Sequence, residues 1–235
     1  MCYKKKTLNF PTTSWSLVLA AKQEGNAVSG EALERLCKLY WYPVYGYIRA
    51  RGQTPDAARD LTQEFFLRLL DKQHLNAIDA PRGRFRWFLQ TAVKNFLANE
   101  YDRAQAQKRG GGQAFLSLEM EGAEQMYRIE PADPQTPETI FDRRWGMLLL
   151  GRALDQMRKE TTNFDHLQPH LMGDEDRISY RELAAKLGST EGAARVAVHR
   201  MRRRFGEILR AEIAGTVQDD TEVDAELQFL MGALQ

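Results

Sequence analysis

The sequence has little of what many protein classes require. It carries two cysteines, Cys2 and Cys37, in 235 residues. That excludes a disulfide framework and fits a reducing compartment. No apolar run approaches the ~18 residues of a membrane span, so the expected location is the cytoplasm, with no membrane partner. Lys4 to Lys6 and the short apolar run Trp15 to Ala21 look at first like an export signal. Asn9, Pro11, Thr12, Thr13 and Ser14 separate the two, however, and Ser16 interrupts the run. Alternating stretches of β-branched residues are missing, as are Asn-Gly and Asp-Gly turns. Net charge is small: 33 Lys plus Arg against 32 Asp plus Glu, or +1. A polycationic nucleic-acid coat is thereby excluded, and any affinity for DNA must come from local patches.

Catalytic patterns are scarce as well. Gly110 to Gly112 precede no Gly-Lys-Ser/Thr phosphate loop, and no nucleophile–base set stands out. Of the four histidines, His166 and His170 have the i, i+4 spacing of helical metal ligands. No acid completes a motif, and Pro169 falls between them. Neither an enzyme nor a metal or cofactor site is expected.

What is present is helical period. With 43% hydrophobic and 28% charged residues, the chain can bury one or two ordinary cores. The spacing predicts a helix near Ser14 and a second over about 30–42, bent or ended by Pro43. Leu33, Leu36, Cys37 and Tyr40 share an apolar stripe of the second. Thr54, Pro55 and Asp56 form a hydroxyl cap, a first-turn proline and an acid against the dipole. They open a third helix to about Leu70, with Ala58, Leu61, Phe65 and Leu69 inward. Phe85, Phe88, Leu89, Ala92, Val93, Phe96 and Leu97 keep the cleanest helical period in the chain. The region 110–136, with its glycines and Pro131 and Pro134, reads as a linker with a short ordered stretch near Phe115 to Leu118. Thr136, Pro137 and Glu138 start a further helix to about Lys159. Ser179 and Glu182 make a capping box flanked by Ile178 and Leu183. Its helix stops at Gly188, and another runs from about Glu191 to Ile213. Helix, glycine turn and helix give the layout of a helix-turn-helix. Val223, Leu227, Leu230 and Leu234 mark a short amphipathic helix near the C-terminus. The fold class expected is all-α: a domain over 12–109, a linker over 110–136, a helix-turn-helix domain over 137–213 and an acidic extension over 214–235.

Charge is segregated along this layout. Residues 82–109 hold seven cations against Glu100 and Asp102. Residues 177–212 hold nine cations against four acids. From Ile213 onward there are five acids and no Lys or Arg. In the second basic segment Glu191, Ala193, Ala194, Arg195, Ala197 and Arg200 are the exposed candidates for base edges, and Arg200, Arg202, Arg203 and Arg204 suit phosphates. A solvated basic face is the plainer alternative, but the capped partner helix and glycine turn favour DNA. In the first basic segment cations alternate with aromatics, a pattern that can stack unpaired bases. Phe85 and Phe88 fit the core better; Trp87 lies off the stripe and is the better platform.

The residues Tyr40 to Tyr45, Asp60 to Arg68, Arg84 to Leu89 with Asn95, Ser179 to Gly188 and Val198 to Arg200 occur in that order. Together they resemble bacterial RNA polymerase sigma factors of the extracytoplasmic-function type, over roughly 28–109 and 138–212. The resemblance implies a non-catalytic factor that directs core RNA polymerase to promoter DNA and helps to open it. It implies that Asp60, Gln63, Glu64 and Phe66 bind the clamp helices of the largest polymerase subunit. It assigns Arg84, Arg86, Trp87, Lys94, Asn95, Asn99 and Arg103 to the minus-10 element, and Glu191, Ala194, Arg195, Arg200 and Arg203 to the minus-35 element. Phe88 stands at the family's usual tryptophan position, with Trp87 one residue earlier, and Asn99 stands where an acid is common. The acidic extension lies outside the family's common core. It reads first as a solvating amphipathic segment and, alternatively, as a self-inhibiting brake folded onto the basic helix-turn-helix; an anti-sigma protein is a further partner left open. The competing reading is a stand-alone helix-turn-helix repressor that binds operators as a dimer without polymerase.

Overall fold

A computed structural model describes residues 27–69, 84–106, 122, 124, 125, 127, 136–171, 178–217 and 219–234. The helix expected near Ser14 and the stretch Phe115 to Leu118 lie outside them. All regular structure among the described residues is helical, in keeping with the absence of strand signals in the sequence. The α-helices are α1 (Ala27–Ala50), α2 (Pro55–Leu69), α3 (Phe85–Ala106), α4 (Pro137–Glu160), α5 (Phe164–Leu167), α6 (Tyr180–Lys186), α7 (Glu191–Ala214) and α8 (Val223–Ala233), with 3-10 turns at Gln168–His170 and Asp220–Glu222. They form two compact units, 1–146 with 214–235, and 147–213. The division therefore falls inside α4 rather than at 110–136. Residues 137–146 and the acidic extension belong with the first unit.

Pro43 does not end the second expected helix; α1 continues through it to Ala50. A proline mid-helix removes one backbone hydrogen bond. Here Tyr40, Val44, Tyr45, Tyr47 and Ile48 are all buried around it, and that packing outweighs the loss. Cys37 is buried with Leu36 and Tyr40, and burial pushes its thiol up to about 12. Aromatic pairs knit the first core: Tyr40 with Phe85 at 5.0 Å, Phe65 with Phe96 at 5.7 Å and Tyr47 with Phe141 at 6.5 Å between centroids. Each such pair adds about 0.5–1.5 kcal/mol beyond its area. Two carboxylates from distant sequence fasten α1. Glu124 accepts from Tyr45 at 2.7 Å and from Arg49 at 3.0 Å, and Glu138 accepts from Tyr47 at 2.9 Å.

The helix starts behave as their residues require. The Thr54 hydroxyl accepts from Ala57 N–H at 3.3 Å, and the Thr136 hydroxyl accepts from Thr139 N–H at 3.2 Å. In the second unit Ser179 and Glu182 complete a reciprocal capping box. Gly188 takes a φ of +59°, a conformation that costs glycine little. Thr190 then caps α7 by accepting from Ala193 N–H at 3.2 Å. The second core is built from Leu149, Ala153, Met157, Phe164, Leu167, Leu183, Val198, Met201, Ile208 and Ile213.

Candidate nucleic-acid interface

On α3 the inward line is Phe85, Leu89, Val93 and Phe96, all buried. Helical period then turns Lys94, Asn95, Asn99 and Arg103 outward, and all four are exposed. Trp87, seven residues before Lys94 and so on its side of the helix, is 51% exposed. The Arg84 guanidinium lies over its ring, 4.7 Å from the centroid. A half-exposed indole beside cations offers an apolar plate where an unstacked base could lie while the cations meet its phosphates.

The neighbouring arginine differs. Arg86 was expected at the DNA surface but is 1% exposed. Its Nε donates to Glu226 at 2.5 Å and its Nη1 to Asp142 at 3.0 Å. Arg84 Nη1 reaches the other Glu226 oxygen at 2.9 Å. Glu226 is 0% exposed. A buried cation persists only with such partners, so in this state Arg86 is an interior residue. Burial raises the Asp142 carboxyl, and the Arg86 charge opposes that rise. The acidic extension is thus packed, not merely solvating. Glu226 finds its cations at the start of α3, not on the basic helix-turn-helix where the alternative reading placed a brake.

The set expected to face a polymerase is divided too. Asp60 is exposed, while Gln63 and Glu64 are half-buried. Phe66 is buried, with its ring edge-on to Phe65 at 5.2 Å, so it supports the surface from below rather than touching a partner. Glu64 pairs with Arg68 at 2.6 Å, and Arg68 also reaches Glu100 of α3 at 2.6 Å. An open groove of about 640 Å³ runs beside them, lined by Arg51, Asp60, Leu61, Lys94, Leu97 and Tyr101 among others.

In the second unit the buried stripe of α7 is Ala194, Val198, Met201 and Ile208. Ala194 therefore faces the core and offers nothing to a base edge. Glu191, Arg195, Arg200 and Arg203 are exposed. Arg195 pairs with Glu191 at 2.7 Å and lies over the Tyr180 ring at 4.4 Å, which orients its guanidinium from the partner helix. Arg203 pairs with Glu207 at 3.2 Å. Arg202 donates to the His170 carbonyl at 2.9 Å and 2.6 Å, and Arg204 holds Glu160 at 2.8 Å. These two serve the fold, and fewer cations remain for phosphates than the sequence promised. His170 is buried and packs 5.2 Å from the Tyr180 ring. Among the described residues no group of three or more His, Cys, Asp or Glu could hold a metal.

Glu226 and Glu124 are the residues that sequence reasoning missed. Glu226 shares the helical face of Val223 and Leu230, and a carboxylate on an apolar stripe is a legible sign of a buried cation. Glu124 gave no comparable signal.

Comparison with known proteins adds one relationship. The chain is 28% identical over 171 residues to the ECF RNA polymerase sigma factor SigE of Mycolicibacterium smegmatis. The aligned stretch covers 72% of this chain and 58% of that protein, so the chain spans less than two thirds of its relative's length. No protein-family model matches, and no solved structure does. The similarity is distant and points toward the extracytoplasmic-function sigma factors. None of the described helices is long and apolar enough to cross a membrane.

Proposed function

We propose that this chain is a promoter-specificity factor, a non-enzymatic sigma-type subunit that carries core RNA polymerase to DNA. The observation that carries this reading is the pairing, on one chain, of two exposed cationic faces with different chemistry. One has an indole plate and amides on α3; the other has arginines on a capped helix-turn-helix. The first suits unpaired bases and the second suits a duplex groove. The similarity to a protein named as a sigma factor supports the same assignment.

In this reading Trp87, Lys94, Asn95, Asn99 and Arg103 engage the minus-10 element. Flipping a base costs a few kcal/mol, and stacking on Trp87 returns about 1–3 kcal/mol. Glu191, Arg195, Arg200 and Arg203 engage the minus-35 element. Asp60, Gln63 and Glu64 meet the clamp helices of the polymerase.

Run-off transcription with purified core polymerase on a promoter library tests this. Start sites that depend on the added chain, and weaken with Trp87→Ala and with Arg195→Ala, are expected. Tight operator binding as a dimer, with no recovery of core subunits in pull-downs, would give the assignment to a stand-alone regulator instead.

A further inference from the structure

We propose that the acidic segment 214–235 is a latch that mimics nucleic acid. It seats a helix on the start of α3 and withholds Arg84 and Arg86 from a polynucleotide. This rests on the α3 surface being a nucleic-acid surface, as proposed above.

Four observations meet here. One Glu226 carboxylate engages both arginines, Arg86 at 2.5 Å and Arg84 at 2.9 Å, which is how a paired-arginine site takes a phosphate. The Arg86 guanidinium is also covered by Phe229, 3.7 Å from its centroid, and lies 5.1 Å from the Trp87 ring. The segment's aromatic therefore covers a guanidinium that also borders the indole plate, and so blocks it from a nucleotide. Third, the seat is shaped for a helix. A Cβ on Gly146 would stand 2.7 Å from Leu230 Cδ1, so a side chain there would push on the leucine that seats α8. Fourth, the Phe85 N–H donates to the Thr216 carbonyl at 3.0 Å. An N–H at the start of α3 is open to a ligand's oxygen unless something caps it, and here the segment does.

The segment's charge fits the role, since 214–235 holds five acids and no Lys or Arg. The latch is also built to release. An isolated helix shorter than ~12–15 residues is marginal in water, and α8 spans 11 residues. Undocked, it loses its helix, so opening is an order–disorder switch. The unit 147–213 is joined to the rest of the chain at both ends.

The test uses the full chain. Gly146→Leu fills the seat of Leu230 without altering any charge, and Leu230→Ala loosens the same contact from the other side. The probe is a fluorescein-labelled 20-nucleotide single strand of mixed sequence, read by anisotropy, and docking is read by hydrogen exchange over 219–234. We expect faster exchange in 219–234, unchanged protection in α1 to α3, and roughly five- to tenfold tighter binding. Adding Arg84→Ala and Arg86→Ala to Gly146→Leu should abolish the gain. If Gly146→Leu also loosens α1 to α3, Leu230→Ala decides. Protection of 219–234 in both variants, or release without tighter binding, makes the segment a fixed part of the domain and overturns the latch. Polymerase is absent from this assay. Run-off transcription without a latch effect would sink only the latch, and a latch effect without polymerase-dependent transcription would sink only the sigma assignment.

Discussion

The Arg144 guanidinium rests against the backbone of Gly46: a Cβ built on residue 46 would fall 1.4 Å from Nη1 and 2.4 Å from Cζ. Arg144 is buried, with Tyr42 at 5.1 Å and Tyr127 at 4.7 Å from its guanidinium carbon. It cannot swing into solvent without leaving both rings. Gly46→Ala gains helix propensity of about 1 kcal/mol and loses more through overpacking, which costs about 1–3 kcal/mol and occasionally more. A net loss of up to about 2 kcal/mol is expected in urea titration. A stabilised variant would mean that Arg144 moves freely.

Trp87 and Phe66 should separate function from folding. Trp87→Ala removes a half-exposed ring, and its unfolding free energy should stay within about 0.5 kcal/mol. Its affinity for single-stranded DNA should fall by about 1–3 kcal/mol. Phe66→Ala opens a cavity in the first core and should cost about 3–5 kcal/mol of stability. Equal loss of stability in the two variants would contradict the assigned positions.

The two arginine classes on α7 should differ in kind. Arg195→Ala removes a side chain oriented by Glu191 and Tyr180 and should cost about 1–3 kcal/mol on the best duplex, less on others. Arg203→Ala should weaken all duplexes alike and lower the slope of log affinity against log salt by about 1. Binding isotherms on two unrelated promoters at several salt concentrations measure both.

Alkaline pH should unfold the first unit. Burial pushes Cys37 from 9.0 to about 12. Burial, then the Glu124 carboxylate that accepts its hydrogen bond, pushes Tyr45 from 10.0 to about 12. Burial raises Tyr47 as well. All three favour the neutral form in the folded chain. Between about pH 9 and 12 the folded state therefore holds more protons than the unfolded one, and stability falls as pH rises. Urea midpoints at about pH 8, 10 and 11.5 should decline in order. Cys37→Ala and Tyr45→Phe should each flatten the decline. A level profile in the unaltered chain would contradict these environments.

Local chemistry was legible in the sequence. The capping box of Ser179 and Glu182, the caps at Thr54 and Thr136 and the inward line of α3 follow from spacing alone, and the structure has them. What stayed hidden depends on distance along the chain. Arg86 looked like a surface cation because its partner Glu226 lies 140 residues away. Pro43 looked like a stop because the aromatic packing that carries α1 through it comes from several helices. Phe66 was placed at a surface by resemblance, and Ala194 by the recognition-helix layout as well as by resemblance; the helical period of their own buried neighbours turns both inward.

Arg68 has one further consequence. It shares its charge between Glu64 on the outer side of α2 and Glu100 on α3, and its guanidinium sits 5.2 Å from the Phe96 ring in between. A visitor that claims Glu64 leaves Arg68 to Glu100 alone and changes how firmly the two helices hold together. By reciprocity, whatever grips α3 then alters the welcome offered at Glu64 to the same degree. Under the proposed function, a polymerase contact at Glu64 and a nucleic-acid contact on α3 would thus be joined through the Arg68 guanidinium.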